Sequence, residues 1–551
     1  MGKSRTIVED RHYRGLMNSS RERQSKSENR RVTRAAGVVG AATLLSRIFG
    51  YVRDMVLASF FRAGMAADAF IAAFRIPNLL RRLFGEGSLS LAFVPVFTDV
   101  MINGNREDAH RLAVSSLKLL LVCLSVVAIV GVVAAPLIIR VVAPGFAAPP
   151  EKMVLTVTLT RVMFPYVILI GLVALCMGIL NVLGHFAAPA VAPLMLNLAM
   201  IGAVFAVSRF SDSQTVRVLG LSAGVLLGGI LQLAIQLPYL VRHGIRFWKR
   251  SGLWHPRMKT VGLLMLPTIF GAAVYQINIL VGTLLASLLP EGSVSYLYYA
   301  DRLVQFPLGI FGQAAATAVL PSLSRQAASR DHTGMGETFG HAMRLVLFLT
   351  LPAMVGLIVL REPIVALLFQ RGAFDTQTAR LTSDALLYYA LGLWAFSAVR
   401  IVVSTFYAMQ DTRTPVISAT LAIAANILLG MALMGPMGHC GLALATALSS
   451  MVNLTILVVE LRRNLGVIRW RAILSSCLKT LLASGVMAAV VIMVCRQFFP
   501  DASTVGGIRL LLNVSIAISA GIVVFCGMAV MLKIPEWQKM TALVKRSLKR
   551  S

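Results

Sequence analysis

Apolar runs of about twenty residues follow one another along this chain from near residue 35 to residue 532, parted by short polar connections. A helix rising 1.5 Å per residue needs about twenty residues to cross the ~30 Å of bilayer hydrocarbon. The pattern therefore predicts about fourteen crossings: near 36–61, 66–98 (interrupted), 113–139, 155–183, 188–208, 217–240, 261–288, 293–322, 342–360, 381–408, 415–434, 439–460, 473–495 and 507–532. Inside a bilayer every backbone N–H and C=O must be paired within the segment, which makes such runs helices. The expected fold class is an all-α polytopic membrane protein.

The pattern also repeats. "GLSAGVLLGGILQLAIQLPYLVR" (220–242) aligns without gaps on "GLALATALSSMVNLTILVVELRR" (441–463), an offset of 221 residues. "LNVLGHFAAP" ending at Pro189 resembles "FYAMQDTRTP" ending at Pro415, and "FVP" ending at Pro95 falls opposite "VLP" ending at Pro321, both at an offset of 226. Three matches in one order at nearly one offset mark spans 1–6 and 7–12 as two copies of one bundle. A repeat of six helices keeps its membrane orientation, so the copies are parallel, as in transporters whose halves rock about a central site. The expected organisation is a polar tail (1–34), a first lobe (35–245), a second lobe (246–465), two added helices (466–535) and a basic tail (536–551).

Composition agrees: 57% of residues are hydrophobic and 14% charged, against about 25% charged in soluble domains. Mean hydropathy is +0.78. The net charge of +29 raises nucleic acid as a partner. Its distribution argues for topology instead, because "VRHGIRFWKRSGLWHPRMK" (241–259), "LRRNLGVIRWR" (461–471) and "VKRSLKRS" fall on one side while "LPEGSVS" (289–295) and "GPMG" (435–438) fall on the other. The positive-inside rule then places both termini in the cytoplasm. The Arg-rich start has no secretory signal pattern. Cys123, Cys176 and Cys526 sit in apolar runs as small packing residues, and no metal ligand set is expected.

Charges inside the spans concentrate in the first two helices of each half. They are Arg47, Arg53, Asp54, Asp68, Arg75, Arg81, Arg82 and Glu86, with Asn78, in the first, and Asp301 and Arg302, with Gln305, in the second. An Arg at mid-membrane costs about 2.5–3.5 kcal/mol on insertion scales and marks a functional site or a water-filled cavity. Arg47 and Asp54 are seven apart and share a helix face, with Arg53 about 120° round. Pro77 and "GEGS" (85–88) are expected to break helix 2 beside that cavity, and "YYADRLVQFP" (298–307) repeats the scheme. Asp54 and Asp301 read as partners orienting neighbouring arginines. A cavity with surplus Arg suits a polyanion such as a diphosphate, which guanidinium forks grip bidentately. An exporter of drugs by cation antiport would carry a net acidic cavity, and a membrane-embedded polyprenyl-phosphate transferase would carry clustered carboxylates such as DxD. Neither pattern occurs, so no catalytic residue is expected.

At these residues the sequence resembles a known family. "SRIFGYVRDMVLASFFRAGMAADAFIAAFRIPNLLRRLFGEGSLSLAFVPVF", "GSVSYLYYADRLVQFPLGIFGQAAATAVLPSLS", "GHFAAPAVAPLMLN", "FYAMQDTRTPV" and "GHCGLALA" are similar to the MurJ (MviN) lipid II flippases of the multidrug/oligosaccharidyl-lipid/polysaccharide exporter superfamily. The resemblance implies a monomer of two six-helix lobes plus two helices that form a groove for a polyprenyl tail. The implied substrate is the undecaprenyl-diphosphate-linked disaccharide pentapeptide, moved across the bacterial inner membrane beside the peptidoglycan-synthesis machinery. Flippases for other polyprenyl-linked glycans stay compatible with the charge pattern. The resemblance places Arg47, Arg53, Arg81 and Arg302 on the substrate, and makes Asp54, Asp68, Asn78, Glu86, Ser295 and Asp301 gating or structural partners, with Ser295 lining the cavity. No cofactor is implied. Two departures stand out. Gln305 replaces a Glu found in some members, and 261–288 lacks the acid of a sodium site described in the family.

Overall fold

A computed structural model of the chain describes residues 37, 39–83, 89–148, 150–246, 252–466, 468–498 and 507–548. The expected tail 1–34 and Glu86 lie outside the described residues. Helices build the structure: α1 (residues 39–61), α2 (Met65–Leu83), α3 (Leu89–Asn103), α4 (Arg106–Val142), α5 (Pro150–Met163), α6 (Tyr166–Val182), α7 (Ala187–Ser208), α8 (Gln214–Ala234) and α9 (Leu237–Arg242) make the first lobe. The second comprises α10 (Met258–Ser287), α11 (Ser293–Pro307), α12 (Ala314–Ala328), α13 (His332–Val359), α14 (Arg361–Phe369), α15 (Thr376–Leu391), α16 (Leu393–Ala408), α17 (Arg413–Met437) and α18 (His439–Leu465). Then follow α19 (Trp470–Phe498), α20 (Gly507–Met531) and α21 (Pro535–Leu548).

Among the described residues ten segments are long and apolar enough to cross a membrane, or eleven with the bent pair α15–α16 taken as one. The other three of the fourteen expected crossings fall on charged α1, on α2–α3 and on α10. The repeat is visible in the element starts. The pairs α4 and α13, α5 and α15, and α7 and α17 begin at 106 and 332, 150 and 376, and 187 and 413, each 226 apart. Packing follows the same rule, with α2 on α5 as α11 on α15, and α7 on α8 as α17 on α18. Even the caps correspond: Asn105 accepts from Glu107 N at the start of α4, and Asp331 from Gly334 N at the start of α13.

Let the end of the bundle where α1 finishes be the far end, and the opposite one the near end. Towards the far end one apolar core joins the lobes, with Leu57, Phe70 and Tyr166 packed among residues such as Tyr299, Phe369 and Phe374. Towards the near end the core divides. Phe93, Phe97, Leu112 and Ile179 serve the first lobe, and Leu323, Phe339, Phe406 and Leu457 the second. The lobes are thus fused at one end and diverge at the other. The first turns of α10 are an exception to the sequence boundary, since Val261 packs in the first lobe's core. The added helices α19 and α20 flank α13 and α14 through Phe348, Met487 and Phe525.

Two expectations about local structure are corrected. Helix α2 runs through Pro77 to Leu83, because one missing donor leaves the flanking turns intact, and the expected break at 85–88 lies outside the described residues. After Pro307 the chain does not break but widens into a π-helix, Leu308–Gln313. Such single-turn widenings recur at functional sites.

Candidate functional site

Two polar clusters hold the lobes together. The first lies around α1 and α11. Arg53 and Asp54 are adjacent on α1, and Arg53 donates through Nε (3.1 Å) and Nη2 (2.7 Å) to Asp54 Oδ1. Its Nη1 donates to Asn197 Oδ1 on α7 (3.1 Å), and Asn197 in turn donates to the Ser46 carbonyl (3.2 Å). From the second lobe Arg302 brings Nε to 3.3 Å of Asp54 Oδ2. The Tyr298 hydroxyl donates to Asp54 Oδ1 (3.2 Å) and accepts from Arg302 Nη2 (3.0 Å), while the Arg302 guanidinium lies 4.9 Å over the Tyr298 ring. Tyr51 closes the seam by donating to the Arg302 carbonyl (3.0 Å). One carboxylate thus serves two arginines from different lobes, at 3% side-chain exposure.

This arrangement sorts the predicted arginines. Arg53 is 8% exposed, with every guanidinium nitrogen engaged by Asp54 and Asn197 of its own lobe and Nη2 also 3.5 Å from the Tyr298 hydroxyl, so here it holds Asp54 in place rather than standing free for an anion. Arg302 has a side chain 36% exposed, and Arg47 is exposed on α1 with its guanidinium against Gly309 of the π-helix. These two face the diverging side. Asp301 accepts from Gln305 (3.3 Å), so it orients the π-helix end of α11 while Arg302 turns to Asp54. On the last turns of α2, Arg81 Nε donates to Asn78 Oδ1 (2.9 Å). Arg75 crosses to α10, donating to the Ile279 carbonyl (2.9 Å) and to the Thr283 hydroxyl. Along α1, α2 and α11 the described residues carry Arg47, Arg53, Arg75, Arg81, Arg82 and Arg302 against Asp54, Asp68 and Asp301, six positive charges against three.

The second cluster seals the far end. Asp68, 1% exposed, accepts from Lys152 Nζ (2.8 Å), Gly292 N (2.8 Å), Ser295 N (2.9 Å) and Ser295 Oγ (2.6 Å). It caps the start of α11 from the other lobe, where free N–H groups and the helix dipole favour an anion. Glu291 returns the contact by accepting from Met65 N at the start of α2 (2.7 Å). Ser295 is therefore fully buried in this latch, which corrects its expected place on the cavity wall. Arg62 pairs with Asp375 (3.2 Å), and Ala373 N donates to the Ser59 carbonyl (2.8 Å). Gly372 has φ +56°, and a Cβ there would lie 2.5 Å from the Ser59 oxygen, so only glycine allows that approach. Burial alone would raise the Asp375 carboxyl, but bonds from Thr378 and the charge of Arg62 bring it below its ordinary value.

Sequence reading missed several partners in both clusters. Lys152 lies just outside a predicted span, Asn197 and Tyr298 carry no charge, and Arg62 and Asp375 stand on opposite sides of a seam that no local spacing reveals.

Comparisons with known proteins agree with this geometry. The family model described as lipid II flippase MurJ matches residues 57–514. A protein of Vibrio cholerae named "Probable lipid II flippase MurJ" is 38% identical over 436 residues, covering 78% of this chain and 82% of its own length. One of Bdellovibrio bacteriovorus with the same name is 35% identical over 511 residues, covering 92% and 96%. Among solved structures, "Lipid II flippase MurJ, inward closed conformation" superposes with a TM-score of 0.75 at 27% identity, covering 90% of this chain and 99% of that one. An inward-facing MATE-family multidrug transporter shares the fold, with a TM-score of 0.64 at 16% identity over 78% of this chain and 98% of its own. With the family model matched over residues 57–514, and relatives 35–38% identical matched over 78–92% of the chain, the chain belongs to the MurJ family of multi-pass bacterial inner-membrane proteins.

Proposed function

We propose that this protein flips lipid II, the undecaprenyl-diphosphate-linked disaccharide pentapeptide, from the cytoplasmic to the periplasmic leaflet by alternating access. The observation that carries the reading is the sharing of Asp54 by Arg53 and Arg302 across the lobe seam, within a cleft richer in arginine than in carboxylate. A diphosphate entering from the near end meets the exposed guanidiniums of Arg47 and Arg302, with Arg81 and Asn78 beside the entry. It then competes with Asp54 for Arg302. Loss of that interlobe bond frees the lobes to rock, which couples substrate arrival to opening of the far end. The near end, flanked by the basic connections, is the cytoplasmic side, both termini lie there, and the Asp68–Ser295 latch is the closed periplasmic gate. The lobes divide near 245 and 465, α19 and α20 offer the groove for the polyprenyl tail, and one chain suffices.

Transport rather than group transfer is favoured by the relatives, which are named lipid II flippases, and by the arginine-rich seam between the two lobes. The test is complementation of a strain depleted of its own lipid II flippase, read with a periplasmic lipid II accessibility assay. Wild type restores exposure, whereas Arg47→Ala and Arg302→Ala insert normally without restoring it. Normal exposure in either variant overturns the assignment.

A further inference from the structure

Helix α21 follows α20 after three residues, and its apolar positions Trp537, Met540, Val544 and Leu548 recur at helical spacing. Its first turn is held by a buried carboxylate. Glu536 is 1% exposed, accepts from Arg344 Nε on α13 (2.8 Å) and from Ser476 Oγ on α19 (2.7 Å), and Trp537 packs beside it against the α19–α20 core. Between residues 533 and 551 the sequence carries Lys533, Lys539, Lys545, Arg546, Lys549 and Arg550, and Glu536 is its only acid. That acid is spent on Arg344, so by sequence the segment carries six basic residues and no further acid. The sequence reading left 536–551 as a tail. Its described part, within Pro535–Leu548, is an amphipathic helix bolted to the second lobe and to the added helices.

We infer that α21 is a docking surface for anionic phospholipid headgroups of the leaflet at the near end. A helix that leaves a membrane crossing through a three-residue turn starts at headgroup level, and an apolar stripe with a basic face lies in that plane. Clusters of four to eight Lys or Arg beside a crossing attract acidic lipid, at about 1 kcal/mol per charge. Topology alone would need the charges but not the anchor. Glu536 makes the difference, because it ties lipid contact on α21 to α13 and α19, so lipid charge bears on a lobe that moves. This holds whatever the transported molecule is.

The test is hydrogen exchange of the peptide covering 533–548 in the full-length protein, reconstituted in phosphatidylcholine vesicles with or without one quarter phosphatidylglycerol. Anionic lipid is expected to slow exchange at least threefold, and 0.5 M salt to abolish the effect as screening shortens to a few ångströms. The variant K539Q/K545Q/R546Q is expected to exchange at the neutral-lipid rate in both vesicles. Glu536→Gln is expected to speed exchange in both, separating anchor from lipid contact. Equal exchange with and without phosphatidylglycerol overturns the lipid assignment and leaves the face to an acidic protein partner. An unchanged rate in Glu536→Gln overturns the anchor.

Discussion

Arg302 and Asp54 come from different lobes and stand 3.3 Å apart, Nε to Oδ2, with Asp54 already bound to Arg53 on its own helix. The pair is therefore asymmetric. Arg53 has a side chain 10% exposed and depends on Asp54, whereas Arg302 is 36% exposed and can turn to a ligand.

That asymmetry separates stability from transport. Asp54→Asn strands Arg53 in a buried site, and removing one partner of a buried pair costs roughly 3–5 kcal/mol. Its melting temperature in detergent is expected to fall by several degrees, with transport lost. Arg302→Ala removes the more exposed partner, so melting should change little while transport falls by at least tenfold. The reverse ordering of melting temperatures would contradict the division of roles.

Lys152 and Asp68 are buried together, at 5% and 1% side-chain exposure. Lys152→Met leaves Asp68 charged without its counter-ion, though still capping α11. The double variant Asp68→Asn/Lys152→Met removes both charges and is expected to be more stable than Lys152→Met alone. A double-mutant cycle on thermal unfolding reads the difference, expected as a coupling of about 1–3 kcal/mol.

Gly372→Val places a side chain at φ +56° and within 2.5 Å of the Ser59 carbonyl. The far end should then fail to close. Spin labels at positions 63 and 373 are expected to report a longer distance than in the unsubstituted protein, and lipid II exposure is expected to drop.

The Arg62–Asp375 contact also sets a pH window. A carboxyl held below its ordinary value contributes to the native state at every pH above the unfolded carboxylate range, and the contribution is lost as pH falls through the lowered folded value. The 63–373 distance should therefore stay constant from neutral down to mildly acidic pH and lengthen only below the ordinary carboxylate range. Asp375→Asn should flatten that response.

Much of the fold was legible because hydrocarbon imposes one rule on every crossing. The predicted 188–208 is Ala187–Ser208, and 507–532 is Gly507–Met531. The repeat was legible for a related reason, since equal bundles keep equal spacing. Arg47, Arg53 and Arg302 stood out because charge in an apolar run is costly. The partners that give those charges their roles were not legible. Tyr298 and Asn197 look like ordinary span residues until tertiary packing aims a hydroxyl and an amide at Arg53. The family resemblance put Ser295 on the cavity wall, yet the start of α11 needed a cap, and Asp68 supplied it across the seam. Glu536 looked like part of a solvated tail, because nothing local shows Arg344 lying 192 positions earlier.

The central claim is that Arg302 alternates between Asp54 and a diphosphate. It is tested most directly by reconstituting the purified protein in liposomes with lipid II and following its appearance in the opposite leaflet. Wild type should raise that appearance well above protein-free liposomes, and Arg302→Ala should return it to the protein-free level while Arg140→Ala, on the exposed far end of α4, leaves it unchanged. Flipping by Arg302→Ala at the wild-type rate would contradict the account.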